Sequence, residues 1–154
     1  MLIKHSHTKR FSYVNIASAL LGFAWCFLHI ACNDEYKIID DHAGTWQSTL
    51  RGHYLVSIYP SNPPIKLGQI HSWIVEFRDS DDLPTTPDHI SVSGGMPSHK
   101  HGLSTTPRVT EMLNEGRFRI DGVKFHMPGD WVLNLGITGP PGQDILQYDL
   151  FVEP

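Results

Sequence analysis

The globular part of this 154-residue chain contains no cysteine. Both cysteines, Cys26 and Cys32, lie in or at the end of an apolar N-terminal run, and none occurs from Asn33 onward. That part of the chain therefore has no internal disulfide, no thiolate nucleophile and no cysteine zinc site. The sequence also lacks a Gly-x-Ser-x-Gly elbow and a phosphate-binding glycine loop, and we expect that the protein is not an enzyme.

Basic residues are scarce beyond the N-terminal run. Of the 12 lysines and arginines, Lys4, Lys9 and Arg10 precede the run, whereas all 16 acidic residues follow it. The remainder of the chain is therefore acidic. Because negative charge repels a phosphate backbone, we expect no nucleic-acid partner.

The N-terminus (residues 1–32) has the order of an export signal. Basic residues come first, the apolar run Val14 to Ala31 follows, and acidic residues begin at Asp34. A cleaved signal peptide, a lipoprotein signal and an uncleaved membrane anchor all fit this order. The segment ending at Cys32 resembles the bacterial lipoprotein signal, which makes Cys32 a candidate lipidation site. The basic residues before the run place the following domain outside the cytoplasm, as a membrane-associated periplasmic or cell-surface protein.

After a linker at residues 33–48, the sequence predicts an all-β domain at residues 49–154. Short segments alternate apolar and polar residues, glycine- and proline-rich turns separate them, and no segment shows a long helical period. About seven strands of this kind predict an antiparallel β-sandwich of immunoglobulin type. The expected strands are Thr49 to Tyr59, Leu67 to Arg78, Asp88 to Ser93, Arg108 to Leu113 (strand or short helical turn), Phe118 to Phe125 with a turn or bulge at Asp121-Gly122, Trp131 to Thr138, and Asp144 to Val152.

The alternation also predicts which side chains form the core. In the first strand Leu50, Tyr54, Val56 and Ile58 share one face. The same rule places His71, Trp73, Val75 and Phe77 on one side of the next strand. In the last two strands the alternating apolar residues are Trp131, Leu133, Leu135 and Ile137, then Leu146, Tyr148, Leu150 and Val152.

One segment concentrates potential metal ligands. His99 and His101 lie two apart, three and five residues after Met96, between glycines that allow tight turns. In an extended chain, residues two apart point the same way, so both imidazoles are expected to face one ion. Met127 lies at another turn, and His71 is a second-tier ligand. Histidine with methionine and without cysteine favours copper, and we expect a copper-binding accessory protein.

A different interpretation of the same residues remains open. Met96 can fill the end of the core while His99 and His101 are solvated loop residues, and the sandwich is then a metal-free module that docks on a membrane protein complex. His126 is left out of the candidate ligands, because in a regular strand it points opposite to Met127.

Three motifs support a family resemblance. They are His71-Ser72-Trp73, then Gly94-Gly95-Met96-Pro97-Ser98-His99-Lys100-His101-Gly102-Leu103 with Thr106-Pro107, and Gly122-Val123-Lys124-Phe125-His126-Met127-Pro128-Gly129-Asp130-Trp131. Together they resemble the YtkA-like domain family, close to the FixH-like proteins, over roughly residues 50–152. The resemblance implies a small extracytoplasmic sandwich, often membrane-tethered, and copper handling or oxidase assembly is an inference from neighbouring families. The family's motif residues correspond to Met96, His99, His101, Met127 and Trp131, with His71 and Trp73 upstream.

Overall fold

The computed structural model describes residues 38–39 and 44–154 of the chain. Within them lie ten β-strands and a 3₁₀ turn at Pro97–His99. The strands are β1 (Ile38–Ile39), β2 (Gln47–Ser48), β3 (Leu55–Pro60), β4 (His71–Arg78), β5 (His89–Met96), β6 (His101–Gly102), β7 (Arg108–Asn114), β8 (Arg117–Val123), β9 (Gly129–Gly139) and β10 (Gly142–Val152).

The predicted export or anchor helix (residues 1–32), with Cys32, falls outside the described residues. Of the predicted linker (residues 33–48), the described part contains the two short strands β1 and β2. No helix within the described residues is long and apolar enough to cross a membrane.

The strands form two five-stranded sheets in which every pair is antiparallel. One sheet has the order β1-β10-β9-β5-β6, and the other has the order β2-β3-β4-β8-β7. The prediction of an antiparallel all-β sandwich is confirmed. The seven longer strands correspond to those expected from the alternation, and β1, β2 and β6 add two residues each at sheet edges.

The core lies between the sheets and takes one face of each long strand. Burial alternates along β9 and β10, so that Trp131 and Leu133 are buried while Asp130 is exposed. Burial of a large apolar side chain contributes about 1.5–3 kcal/mol, which is why these faces determine the strand register. The largest fully buried side chains are Trp73, Trp131, Tyr148, Phe77, Phe125, Ile58, Met96, Ile120, Leu133, Leu135, Ile137 and Val56.

The first predicted strand begins too early. Residues 49–54 form a turn, β3 starts only at Leu55, and Leu50 is 81% exposed rather than in the core. Alternation cannot detect this turn because its cause is distant in sequence: the carboxylate of Asp144 holds the turn. Its oxygens accept hydrogen bonds from the hydroxyl of Thr49 (2.5 Å) and from the backbone amide of Arg51 (2.9 Å).

Two further amides also donate to Asp144, those of His53 (3.1 Å) and Ile145 (2.8 Å). The side chain is inaccessible to solvent. Burial alone raises the pKa of this carboxyl, but the hydrogen bonds from Thr49, Arg51, Ile145 and His53 outweigh it and lower the pKa to about 2. We call this region, the turn 49–54 with Asp144, the carboxylate end of the sandwich.

Two ambiguous segments are resolved by the sheet. Arg108–Asn114 is an edge strand rather than a helical turn. Asp121-Gly122 is a bulge in β8, because His71 pairs with Val123 while Trp73 pairs with Ile120. Gly122 has φ +93°, a left-handed conformation that glycine adopts without strain.

The opposite end of the sandwich collects the candidate ligands. There β5 ends at Met96, the turn Pro97–His99 and β6 follow, and the loop 124–128 leads from one sheet into β9. Gly95 pairs with Val132, so the end of β5 lies beside the start of β9. We call the region formed by residues 97–102 and 124–128 the histidine end.

Candidate functional site

His99 and His101 lie on a reversal of the chain and not on an extended segment. The chain reverses at Lys100, whose φ of 55° and ψ of 35° are left-handed, and β6 then pairs back on β5 with His101 opposite Met96. The extended geometry expected for His-x-His is therefore wrong. The two imidazoles are nevertheless neighbours, with ring centroids 5.8 Å apart and planes inclined by 38°.

His126 joins this pair from the loop 124–128. Its ring centroid lies 5.2 Å from that of His101, at an interplanar angle of 37°. Strand alternation excluded His126 because it assumed a regular strand, whereas residues 124–128 form a loop between β8 and β9. The signal that identifies it is topological: β5 and β9 are adjacent, so the segments after β5 and before β9 meet.

One nitrogen of these rings is buried with no partner in the described part of the chain, and a second has only a long contact. Nδ1 of His126 is buried and has no hydrogen-bond partner among the described residues. Nδ1 of His101 lies 3.4 Å from the carbonyl oxygen of Gly102, a long contact. His99 is exposed, and His101 and His126 are half-buried. A ligand can satisfy such a nitrogen, and other buried side chains among the described residues, such as Trp73 and Tyr148, also have a polar atom without a partner.

Trp131 lies beneath the histidines. Its ring centroid is 5.2 Å from that of His126 and 6.2 Å from that of His101, both edge to face. The indole Nε1–H donates to the carbonyl oxygen of Met127 at 2.9 Å. The tryptophan side chain is fully buried, so the imidazoles rest on a rigid aromatic surface.

The two candidate thioethers occupy different positions. Met96 is 1% exposed and packs in the core, and its Cε lies 2.9 Å from where a Cβ on Gly129 would be. Met127 is half-buried and packs against the edge of the core. Met96 thus fills the end of the core, as the alternative interpretation has it.

His71 is engaged with its own loop. Its Nε2 lies 3.1 Å from the backbone nitrogen and 2.9 Å from the carbonyl oxygen of Lys66. His71 pairs with Val123 at the end of β8, so it belongs to the second sheet. The structure does not bring its ring into the stack formed by the other three histidines.

The carboxylate of Asp121, in the bulge of β8, is likewise committed to protein groups. Ser72 donates a short hydrogen bond to it, Thr110 donates at 2.6 Å, and Arg119 donates at 3.1 Å. The hydrogen bonds from Ser72 and Thr110, with a smaller contribution from Arg119, lower the pKa of Asp121. Its acceptor sites are therefore largely occupied.

The imidazoles at the histidine end, with the thioether of Met127 in the same loop as His126, are side chains of the types that bind copper. An imidazole nitrogen binds a metal at about 2.0–2.1 Å, so the centroids of two rings that share an ion lie roughly 4.5–6 Å apart. The centroid separations of 5.8 Å and 5.2 Å in the stack fall in this range. Within the described residues, however, no set of three or more His, Cys, Asp or Glu side chains is grouped so that it could hold a metal ion. Of the three rings, those of His101 and His126 are the closest pair.

Comparison with known proteins gives one family. No curated protein and no solved structure matches the chain. The family model described as YtkA-like matches residues 53–136, which is more than half of the chain and includes every histidine of the stack. The chain belongs to the YtkA-like family.

Proposed function

We propose that this protein is an extracytoplasmic, membrane-tethered accessory protein that binds a copper ion at the histidine end of its sandwich. The observation that carries the proposal is the imidazole pair: the ring centroids of His101 and His126 lie 5.2 Å apart, and Nδ1 of His126 is buried with no hydrogen-bond partner among the described residues. His99 is exposed and its ring centroid lies 5.8 Å from that of His101, but the three imidazoles do not form a preformed group of three ligands within the described residues. The protein holds the ion or passes it on, and it is not an enzyme.

The choice of copper rests on the chemistry of the donors. Neutral imidazole is a common ligand of copper and zinc, and a nearby thioether favours copper. Of the two candidate thioethers, Met127 is partly accessible, whereas Met96 is enclosed in the core. Since the sandwich lacks cysteine, its ligands cannot be lost to a disulfide in an oxidising compartment.

The location and the fold subtype belong to the same proposal. The basic residues before the apolar run and the acidic domain after it support export, with the tether at the N-terminus and Cys32 as a candidate for lipidation. The orders β3-β4-β8-β7 and β10-β9-β5 of the long strands support an immunoglobulin-type sandwich, since constant-type domains have the orders ABED and GFC.

The test is a copper titration of the purified full-length protein. We expect one ion per chain, measured for both copper oxidation states by competition with a chromophoric chelator. The double substitution of His101 and His126 by alanine should weaken copper binding by at least about 100-fold, because both proposed imidazole ligands are lost. A wild-type protein that takes up no stoichiometric copper would end the proposal.

The chain provides a matched control. His5 and His7 form a second His-x-His pair in the N-terminal segment. Replacing both with alanine should leave the affinity of the site unchanged. If this variant loses the bound ion and the His101/His126 variant keeps it, copper binds to the N-terminal segment and the assignment to the sandwich is wrong.

A metal-free interaction module is the second candidate. It is favoured by the burial of Met96 and by the lack, within the described residues, of a preformed group of three ionisable ligands. In that case the sandwich docks on a membrane protein complex, and the His101/His126 variant recovers the same partners as the wild type from solubilised membranes. Loss of the partners together with loss of copper would instead connect docking to metal binding.

A further inference from the structure

Trp131 is the side chain that connects the core to the histidine end. It is the third residue of β9, and its position in the alternation places it in the core beside Leu133. Its ring centroid lies 5.3 Å from that of Phe125. These contacts explain why the ring of Trp131 is buried, but they do not explain what its indole nitrogen does.

The polar atom of Trp131 acts on the loop that carries His126. A buried indole N–H usually has an acceptor, and here Nε1–H donates to the carbonyl oxygen of Met127, the residue next to His126. The same indole ring contacts the rings of His126 and His101. Trp131 therefore restrains the backbone beside His126 through its hydrogen bond, and it restrains the rings of His126 and His101 through its ring contacts.

Trp73 shows that these contacts are not a general property of a buried tryptophan in this core. Its exposure is also 0%, and its ring also packs edge to face on Phe125, with centroids 6.2 Å apart. Its other ring neighbour is Tyr148, and its Nε1 has no hydrogen-bond partner among the described residues.

We propose that Trp131 is a positioning residue that holds His126 beside His101 through its hydrogen bond to Met127 and its ring contacts. The inference rests on the proposed copper site. It assigns to Trp131 the alignment of the two imidazoles that bind the ion there, those of His101 and His126. Groups that orient metal ligands typically change metal affinity by about 10–100-fold when they are removed.

The test compares Trp131→Phe with Trp73→Phe in the full-length protein. Both substitutions remove one indole from the same core and leave an aromatic ring, so their effects on packing are matched. We expect the Trp131→Phe variant to bind copper about 10–100-fold more weakly than the wild type, whereas the Trp73→Phe variant keeps its affinity. Equal affinities of the two variants would overturn the inference.

A second measurement uses the wild-type protein and decides the matter even if Trp131→Phe does not fold. Diamagnetic copper(I) is added to ¹⁵N-labelled protein, and the indole N–H resonances are followed by NMR. We expect the Trp131 resonance to shift with saturation while that of Trp73 stays in place; no shift at Trp131 would contradict a positioning role. Failure of the proposed function gives a different result, because the wild type then takes up no copper at all.

Discussion

The carboxylate at one end of the sandwich and the imidazoles at the other differ in how far protein groups satisfy them. At the carboxylate end, the side chain of Asp144 is fully buried and receives hydrogen bonds from a hydroxyl and three amides. At the histidine end, three imidazoles lie together with little protein hydrogen bonding, and Nδ1 of His126 has no partner among the described residues. Satisfied groups determine a fold, whereas unsatisfied groups remain available to a ligand.

The largest expected effect is at Asp144. Replacing Asp144 with alanine leaves the buried hydroxyl of Thr49 and the amides of the turn without their acceptor, and we expect a loss of about 3–5 kcal/mol in the free energy of unfolding. Urea unfolding measures it. The control is Asp149→Ala on the same strand, where the carboxylate is exposed and accepts from Gln147; that change should stay within about 0.5 kcal/mol. Similar losses in both variants would contradict a special role of Asp144.

The second prediction tests whether Met96 belongs to the core although it lies at the histidine end. Met96→Ala removes a buried side chain and should cost about 2–4 kcal/mol, whereas Met96→Leu keeps the volume and should cost less than about 1.5 kcal/mol. Because the thioether is enclosed in the core, the leucine variant should bind copper as the wild type does. Loss of copper binding in a folded leucine variant would instead make Met96 a ligand.

The third prediction concerns acid. The pKa of Asp144 is lowered from 3.8 to about 2 in the folded protein, so folding favours the ionised carboxylate. Its contribution is complete above the unfolded pKa and disappears as the pH falls from about 4 to about 2; the shift corresponds to about 2 kcal/mol. The free energy of unfolding should therefore fall more between pH 5 and pH 2, roughly, in the wild type than in Asp144→Asn. Parallel pH curves would contradict the depressed pKa.

The smallest expected effect is at the exposed imidazole. His99→Ala removes a side chain that lies on the surface, and we expect the free energy of unfolding to change by less than about 0.5 kcal/mol. A larger destabilisation, measured by the same urea titration, would show that the imidazole stack stabilises the fold and would remove the contrast between the two ends.

The sequence was most informative where one rule applies along a whole strand. The alternation in β9 and β10 predicts the burial of Trp131 and Tyr148 because every second side chain of these eleven-residue strands faces the same core. Leu50 was placed wrongly because the turn that exposes it depends on Asp144, about ninety residues away. Contacts of that separation leave no local pattern.

The site was predicted only in part, for a related reason. His99 and His101 were identified from their spacing, but their backbone reverses at Lys100, which the spacing does not reveal. His126 was missed because side-chain direction in a loop follows no fixed period. The burial of Met96 depends on the space above Gly129, and that becomes visible only when β5 and β9 are paired.

The length of β9 has an electrostatic consequence. Trp131 beneath the histidines and Ile137, which pairs with Asp144, are six residues apart on this strand, or about 20 Å at roughly 3.3 Å per residue. Two unit charges at about 20 Å interact by less than about 1 kcal/mol at an effective dielectric constant near 20. A cation captured at the histidine end is therefore barely sensed by the carboxylate at the other. Metal loading and acid stability can be altered by mutation one at a time.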